Sequence, residues 1–157
     1  MISPHDIILV CFVGLAFTLS KQPKRMAVGV CVAALLMIIG ADYFMSGVDF
    51  YWLALCIEAG AGLILWCSAN ELRGYEDRMY YIALASFFVC SCVVTGFYIY
   101  DVWLYAEHAL YLTTSQWIGI IHAVFMVGFS DAVIDSGVYR KGVDFIDHLT
   151  SGGRHHS

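Results

Sequence analysis

Residues 50–67, FYWLALCIEAGAGLILWC, are apolar except for one ionisable side chain near the middle, Glu58. The run is close to the length that crosses the ~30 Å hydrocarbon core of a bilayer. A carboxyl group in hydrocarbon costs at least a few kcal/mol, so it faces protein or water and often marks a functional position. The rest of the chain reads as further spans packed around this one.

Composition supports a membrane and excludes most alternatives. Of 157 residues, 61% are hydrophobic and 13% charged, with a mean hydropathy of +0.75. Soluble domains carry about 25% charged residues, and a soluble core of this length has no room for so much apolar surface. The formal net charge is −5 with no basic cluster, so nucleic-acid binding lacks an electrostatic basis. The six cysteines, Cys11, Cys31, Cys56, Cys67, Cys90 and Cys92, all lie in apolar stretches. They read as small packing residues within helices rather than a disulfide framework. Cys90-Ser91-Cys92 has neither metal spacing nor a nearby His, so no metal site and no cofactor is expected.

The fold expected is all-α: a polytopic bundle of five transmembrane helices in residues 1–137, with a short amphipathic C-terminal helix. The five spans fall at about 3–20, 26–45, 50–67, 79–100 and 117–134 by apolar run length. Residues 101–116 are too polar to span but rich in Trp, Tyr and Leu, which suits a segment lying in the interface plane. In 138–150, Tyr139, Val143, Ile146 and Leu149 recur at three- and four-residue steps opposite Arg140, Lys141, Asp144, Asp147 and His148, the pattern of an amphipathic helix. The last residues, 151–157, read as a disordered tail.

Basic residues set the orientation. Every Lys and Arg falls in one of three segments: Lys21, Lys24 and Arg25; Arg73 and Arg78; Arg140, Lys141 and Arg154. Five spans put all three on one side, which the positive-inside rule makes cytoplasmic. The expected location is thus a plasma or inner membrane, N-terminus outside and C-terminus cytoplasmic.

Glu58 has Ala54 four residues before it and Ala61 and Gly62 three and four after, on one helix face. Small residues there let a neighbouring helix approach closely, so Glu58 is expected in a helix–helix seam. His122 is the partner that topology offers. Measured from Trp52 and Trp117 as markers of the outer belt, Glu58 and His122 lie at depths of about 9 and 7.5 Å. The pair reads either as a registry device or as a proton or cation relay. Gly29 with Ala33, and Gly119 with Ala123, form two further small-xxx-small pairs for helix packing. Asp131 and Asp135, one turn apart, mark the cytoplasmic end of the fifth span as acidic, with a solvated helix end favoured over a cation vestibule.

No phosphate loop, nucleophile elbow or HExxH pattern is present, so no enzyme is expected. The leading expectation is a small non-enzymatic structural or assembly subunit within the bilayer, as a homo-oligomer or in a larger membrane complex. The alternative is a proton- or cation-conducting channel or carrier using Glu58 and His122. A holin-like pore-forming protein ranks third.

Overall fold

A computed structural model describes residues 4–45, 48–102 and 108–137. Among these the chain is all-helical: α1 Pro4–Leu19, α2 Lys24–Phe44, α3 Val48–Glu71, α4 Tyr75–Val102, α5 His108–Gly128 and the single turn α6 Asp131–Asp135. Three helices are long and apolar enough to cross a membrane, within Lys24–Phe44, Asp49–Glu71 and Tyr75–Tyr100. The apolar runs of α1 and α5, Ile7–Leu19 and Gln116–Gly128, are shorter, each about 20 Å at 1.5 Å per residue.

The helices form a closed ring. Each of α1 to α5 packs on the next, α5 returns to α1, and α2 also reaches α4. Outward faces carry Leu36, Met37, Leu63, Ile64, Val89, Val93 and Phe97, all exposed. A contiguous apolar exterior of this kind suits lipid, not water. Trp52, Trp66 and Trp117 are also exposed.

The interior has two apolar clusters. The larger joins Val13 and Ala16 of α1, Ala27, Val28 and Cys31 of α2, Leu65 of α3, Leu84 and Phe88 of α4, and Met126 of α5. The smaller, where α2 ends and α3 begins, gathers Ala41, Phe50, Tyr51, Ala54 and Tyr98. Close approach depends on glycine at two points. A Cβ on Gly62 would lie 3.2 Å from Phe88 Cβ, and one on Gly119 would lie 3.2 Å from Leu9 Cδ2.

Several element boundaries differ from the sequence-based expectation. The loop expected between 67 and 79 shrinks to Leu72-Arg73-Gly74, because α3 runs on to Glu71 and α4 starts at Tyr75. Ala69 and Leu72 pack into the larger cluster and carry the helix with them. Within the segment expected to lie in the interface plane, 101–116, Asp101 and Val102 finish α4 and residues 108–116 are the first turns of α5; residues 103–107 lie outside the described residues. No Gly or Pro interrupts 108–118, so a helix entered at His108 runs straight into the apolar part. The last long helix, expected to run through 134, stops at Gly128. Ser130 has extended backbone (φ −66°, ψ 151°) and starts α6, and its Oγ donates to the Val127 carbonyl at 2.7 Å. The amphipathic helix at 138–150 and the tail at 151–157 lie outside the described residues.

Candidate functional site: a polar cavity within the helix ring

One cavity of about 170 Å³ lies inside the ring and is lined from all five long helices. Its polar walls are Asp42 of α2, Glu58 of α3, Ser91 of α4, and Gln116 and His122 of α5. Asp42, at the end of α2, is exposed to the outside. Cys31, Val13 and Met126 line the cavity farther from that end, towards the basic end of α2. One water needs roughly 10–15 Å³ of such space, together with polar partners. The cavity therefore has room and polarity for several waters or a small cation.

Glu58 is buried, 5% exposed. Both its oxygens accept hydrogen bonds from α4: Ser91 Oγ donates to Oε1 at 2.5 Å, and Thr95 Oγ1 donates to Oε2 at 2.9 Å. Ser91 and Thr95 are four residues apart and so share a helix face. Ala54 and Ala61 beside Glu58 are buried, and Gly62 sits directly against Phe88. The seam that receives the carboxyl group is thus the α3–α4 interface.

His122, 9% exposed, lines the same cavity from α5. Its Nε2 lies 3.9 Å from Cys31 Sγ. The imidazole stacks on Phe87 (centroids 4.7 Å apart, planes 14° apart) and meets the edge of Phe88 at 5.3 Å. Glu58 and His122 therefore face one space while different neighbours hold each of them.

The packing residues divide. Ala123 is buried and Gly119 receives Leu9 of α1, so that pair lies in the α1–α5 contact. Gly29 only approaches Phe17 loosely, its Cβ direction 3.8 Å from Phe17 Cε2, and Ala33 is exposed. The buried stripe of α2 is Ala27, Val28, Cys31, Ala34 and Ala41. Ala33 is turned roughly 200° from Cys31 at 100° per residue, so it points away from the bundle.

At the opposite end, Asp131 and Asp135 meet the basic loop before α2. Lys24 Nζ, only 5% exposed at the side chain, lies 3.1 Å from Asp131 Oδ1. It also donates to the Phe129 carbonyl at 3.5 Å and sits 5.5 Å from the centre of the Tyr80 ring. The Lys21 backbone N–H donates to Asp131 Oδ2 at 2.6 Å, and Lys21 Nζ to Asp135 Oδ2 at 2.7 Å. That second pair is exposed. Its hydrogen bond and charge attraction raise the Lys21 amine above its ordinary value and lower the Asp135 carboxyl below its own. Lys21 and Lys24 are thus the counter-charges of the two carboxylates. Val28, Leu84 and Met126 belong to the larger apolar cluster, and Met126 also lines the cavity.

Sequence reasoning missed Ser91, Thr95, Cys31 and Lys24 as members of these sites. A signal existed for the first two: hydroxyls four residues apart in a helix as apolar as α4 are what a carboxyl group on a neighbouring helix needs. For Cys31 and Lys24, nothing local distinguishes them from packing and surface residues. Comparison with protein-family models, curated proteins and solved structures finds no match.

Proposed function

We propose that this protein is a small membrane carrier or channel for protons or small cations, with Glu58 and His122 as the polar groups of its pathway. The observation that carries this reading is the cavity lined by all five long helices, with Asp42 at its exposed end and Glu58 and His122 within. A bundle serving only as packing material gains nothing from an internal polar space. Intramembrane ionisable groups facing a cavity commonly mark ion or proton pathways. The Lys24–Asp131 and Lys21–Asp135 pairs then act as the closed gate at the other end. In this reading α1 and α5 complete a five-span topology. The basic loops face the cytoplasm, the cavity opens outside, and the C-terminus is cytoplasmic.

The test is proton flux in proteoliposomes under an imposed potential and pH gradient, comparing wild type with Glu58→Gln. Wild-type flux that disappears in a folded Glu58→Gln protein is the expected result. No flux in either protein overturns the reading.

A second reading, an assembly subunit packing on itself or on a larger membrane complex, draws on a different feature. An apolar groove of about 450 Å³ runs along the outer faces of α3 and α4, lined by Ala59, Gly62, Leu63, Val89 and Val93. Gly62 and Ala59 in its lining are small residues of the kind at which membrane helices approach closely. Cross-linking in native membranes separates the two: a discrete higher-mass species without flux favours the subunit.

A further inference from the structure

We propose that Cys31, His122 and Met126 form a binding site for a soft monovalent metal ion, Cu(I) in a cell. The proposal goes beyond conduction and stands whether or not any ion crosses the membrane.

The geometry comes first. Cys31 on α2 and His122 on α5 bring Sγ and Nε2 to 3.9 Å. Metal bonds of roughly 2.3 Å to sulfur and 2.0 Å to imidazole nitrogen span about 3.7 Å at a trigonal angle, so a metal bridges this pair with little movement. Met126 lies four residues beyond His122, on the same face of α5, and both line the cavity with Cys31. We assign its thioether as the third ligand. The imidazole is fixed in orientation by Phe87 and Phe88, as metal-binding histidines generally are by their surroundings.

The chemistry selects the ion. Thiolate and thioether are soft ligands and imidazole is a borderline one, a set that favours Cu(I) over hard cations. Glu58, the hard ligand in the cavity, is held by Ser91 and Thr95. Among the described residues, no three His, Cys, Asp or Glu side chains converge as a ligand set, so the ordinary zinc arrangement is absent there. Charge points the same way. Binding replaces the Cys31 thiol proton with the metal: the S–H bond breaks, an S–Cu bond forms, and the proton passes to water. One Cu(I) and one thiolate leave the site neutral, whereas a divalent ion leaves an uncompensated charge in a low-dielectric interior. Asp42 at the exposed end of the cavity favours entry of a cation.

The test is titration of the purified full chain in detergent, under reducing conditions, with Cu(I) against a bidentate chromogenic chelator. The expected result is one Cu(I) retained per chain, with X-ray absorption reporting sulfur and nitrogen neighbours. Cys31→Ser and His122→Asn each weaken binding at least a hundredfold. Met126→Leu, which keeps the volume, weakens it about tenfold. A variant with Ala at Cys11, Cys56, Cys67, Cys90 and Cys92 binds as wild type does. Copper lost from that five-alanine protein, or retained by Cys31→Ser, shows adventitious thiol binding and overturns the site. So does a wild type that retains none. If Cys31→Ser fails to fold, Met126→Leu and the five-alanine protein still decide. No gradient enters the measurement, so its outcome is independent of the flux assay.

Discussion

Ser91 Oγ donates to Glu58 Oε1 at 2.5 Å across the α3–α4 interface, so α4 and not α5 holds the carboxyl group. Hydrogen bonds between membrane helices contribute about 0.6 kcal/mol on average and up to about 1.7. A bond to a buried carboxyl group belongs at the upper end. Ser91→Ala is expected to destabilise the bundle by about 1.5 kcal/mol, and Thr95→Val by a similar amount. In a double-mutant cycle with Glu58→Leu, each loss shrinks towards zero, because the acceptor is gone. Unfolding in mixed micelles measures it, and additive losses would show that the hydroxyls act elsewhere.

Two glycines on α3 are expected to behave oppositely. A Cβ at Gly62 meets Phe88 Cβ at 3.2 Å, while Gly60 has nothing within 4 Å. Gly62→Val should cost about 1–3 kcal/mol by overpacking. Gly60→Ala should be neutral or stabilise by up to about 1 kcal/mol through the unfolded chain. Melting temperatures of the two variants check this, and equal effects would contradict the close α3–α4 approach.

The Lys24–Asp131 pair is asymmetric. Asp131→Asn removes the counter-charge and leaves a buried ammonium among neutral groups, including the Phe129 carbonyl and the Tyr80 ring. Breaking a buried pair costs about 3–5 kcal/mol; since Asp131 is 21% exposed at the side chain, about 3 kcal/mol is expected. Lys24→Met should cost less, because Asp131 keeps the Lys21 N–H. Combining the two should recover part of the loss. Denaturant titration of the three variants tests the order, and a costlier Lys24→Met would reverse the argument.

Lys21 and Asp135 form an exposed pair, with a weak effect that has a defined pH window. The carboxyl is lowered from 3.8 and the amine raised from 10.5, each first by their hydrogen bond and then by charge attraction. The Asp135 contribution is full above the unfolded carboxyl value and is lost as pH falls through the lower folded value. The Lys21 contribution is full below 10.5 and is lost as pH rises through the higher folded value. Between them the pair's contribution is flat with pH. The difference in melting temperature between wild type and Asp135→Asn should therefore shrink as pH falls through the lowered carboxyl value and shrink in high salt. A difference that persists in acid would assign the effect to something other than the pair.

Topology has its own expectation, from the distribution of Lys and Arg. In a cysteine-free background, single cysteines replacing Gln22 and Arg73 should react with an impermeant maleimide only from the cytoplasmic side. One replacing Asp49 should react only from outside. Labelling of Gln22→Cys and Arg73→Cys from opposite faces would break the five-span arrangement.

The membrane character of this chain is legible from residue order alone. Long apolar runs must be helical in lipid, because each backbone N–H and C=O needs a partner within its own segment. The stretch around Glu58 could be read further, since Ala54, Ala61 and Gly62 share its face by helical periodicity, and that face meets α4. Periodicity supplies a direction around one helix, but not the neighbour found there. The meeting of Glu58 with Ser91 and Thr95, Cys31 with His122, and Lys24 with Asp131 was therefore decided by the ring order of the helices. The outward turn of Ala33 follows from the same packing. These are long-range contacts set by which apolar and small surfaces pack best together, and no local sequence window contains both sides of such a contact.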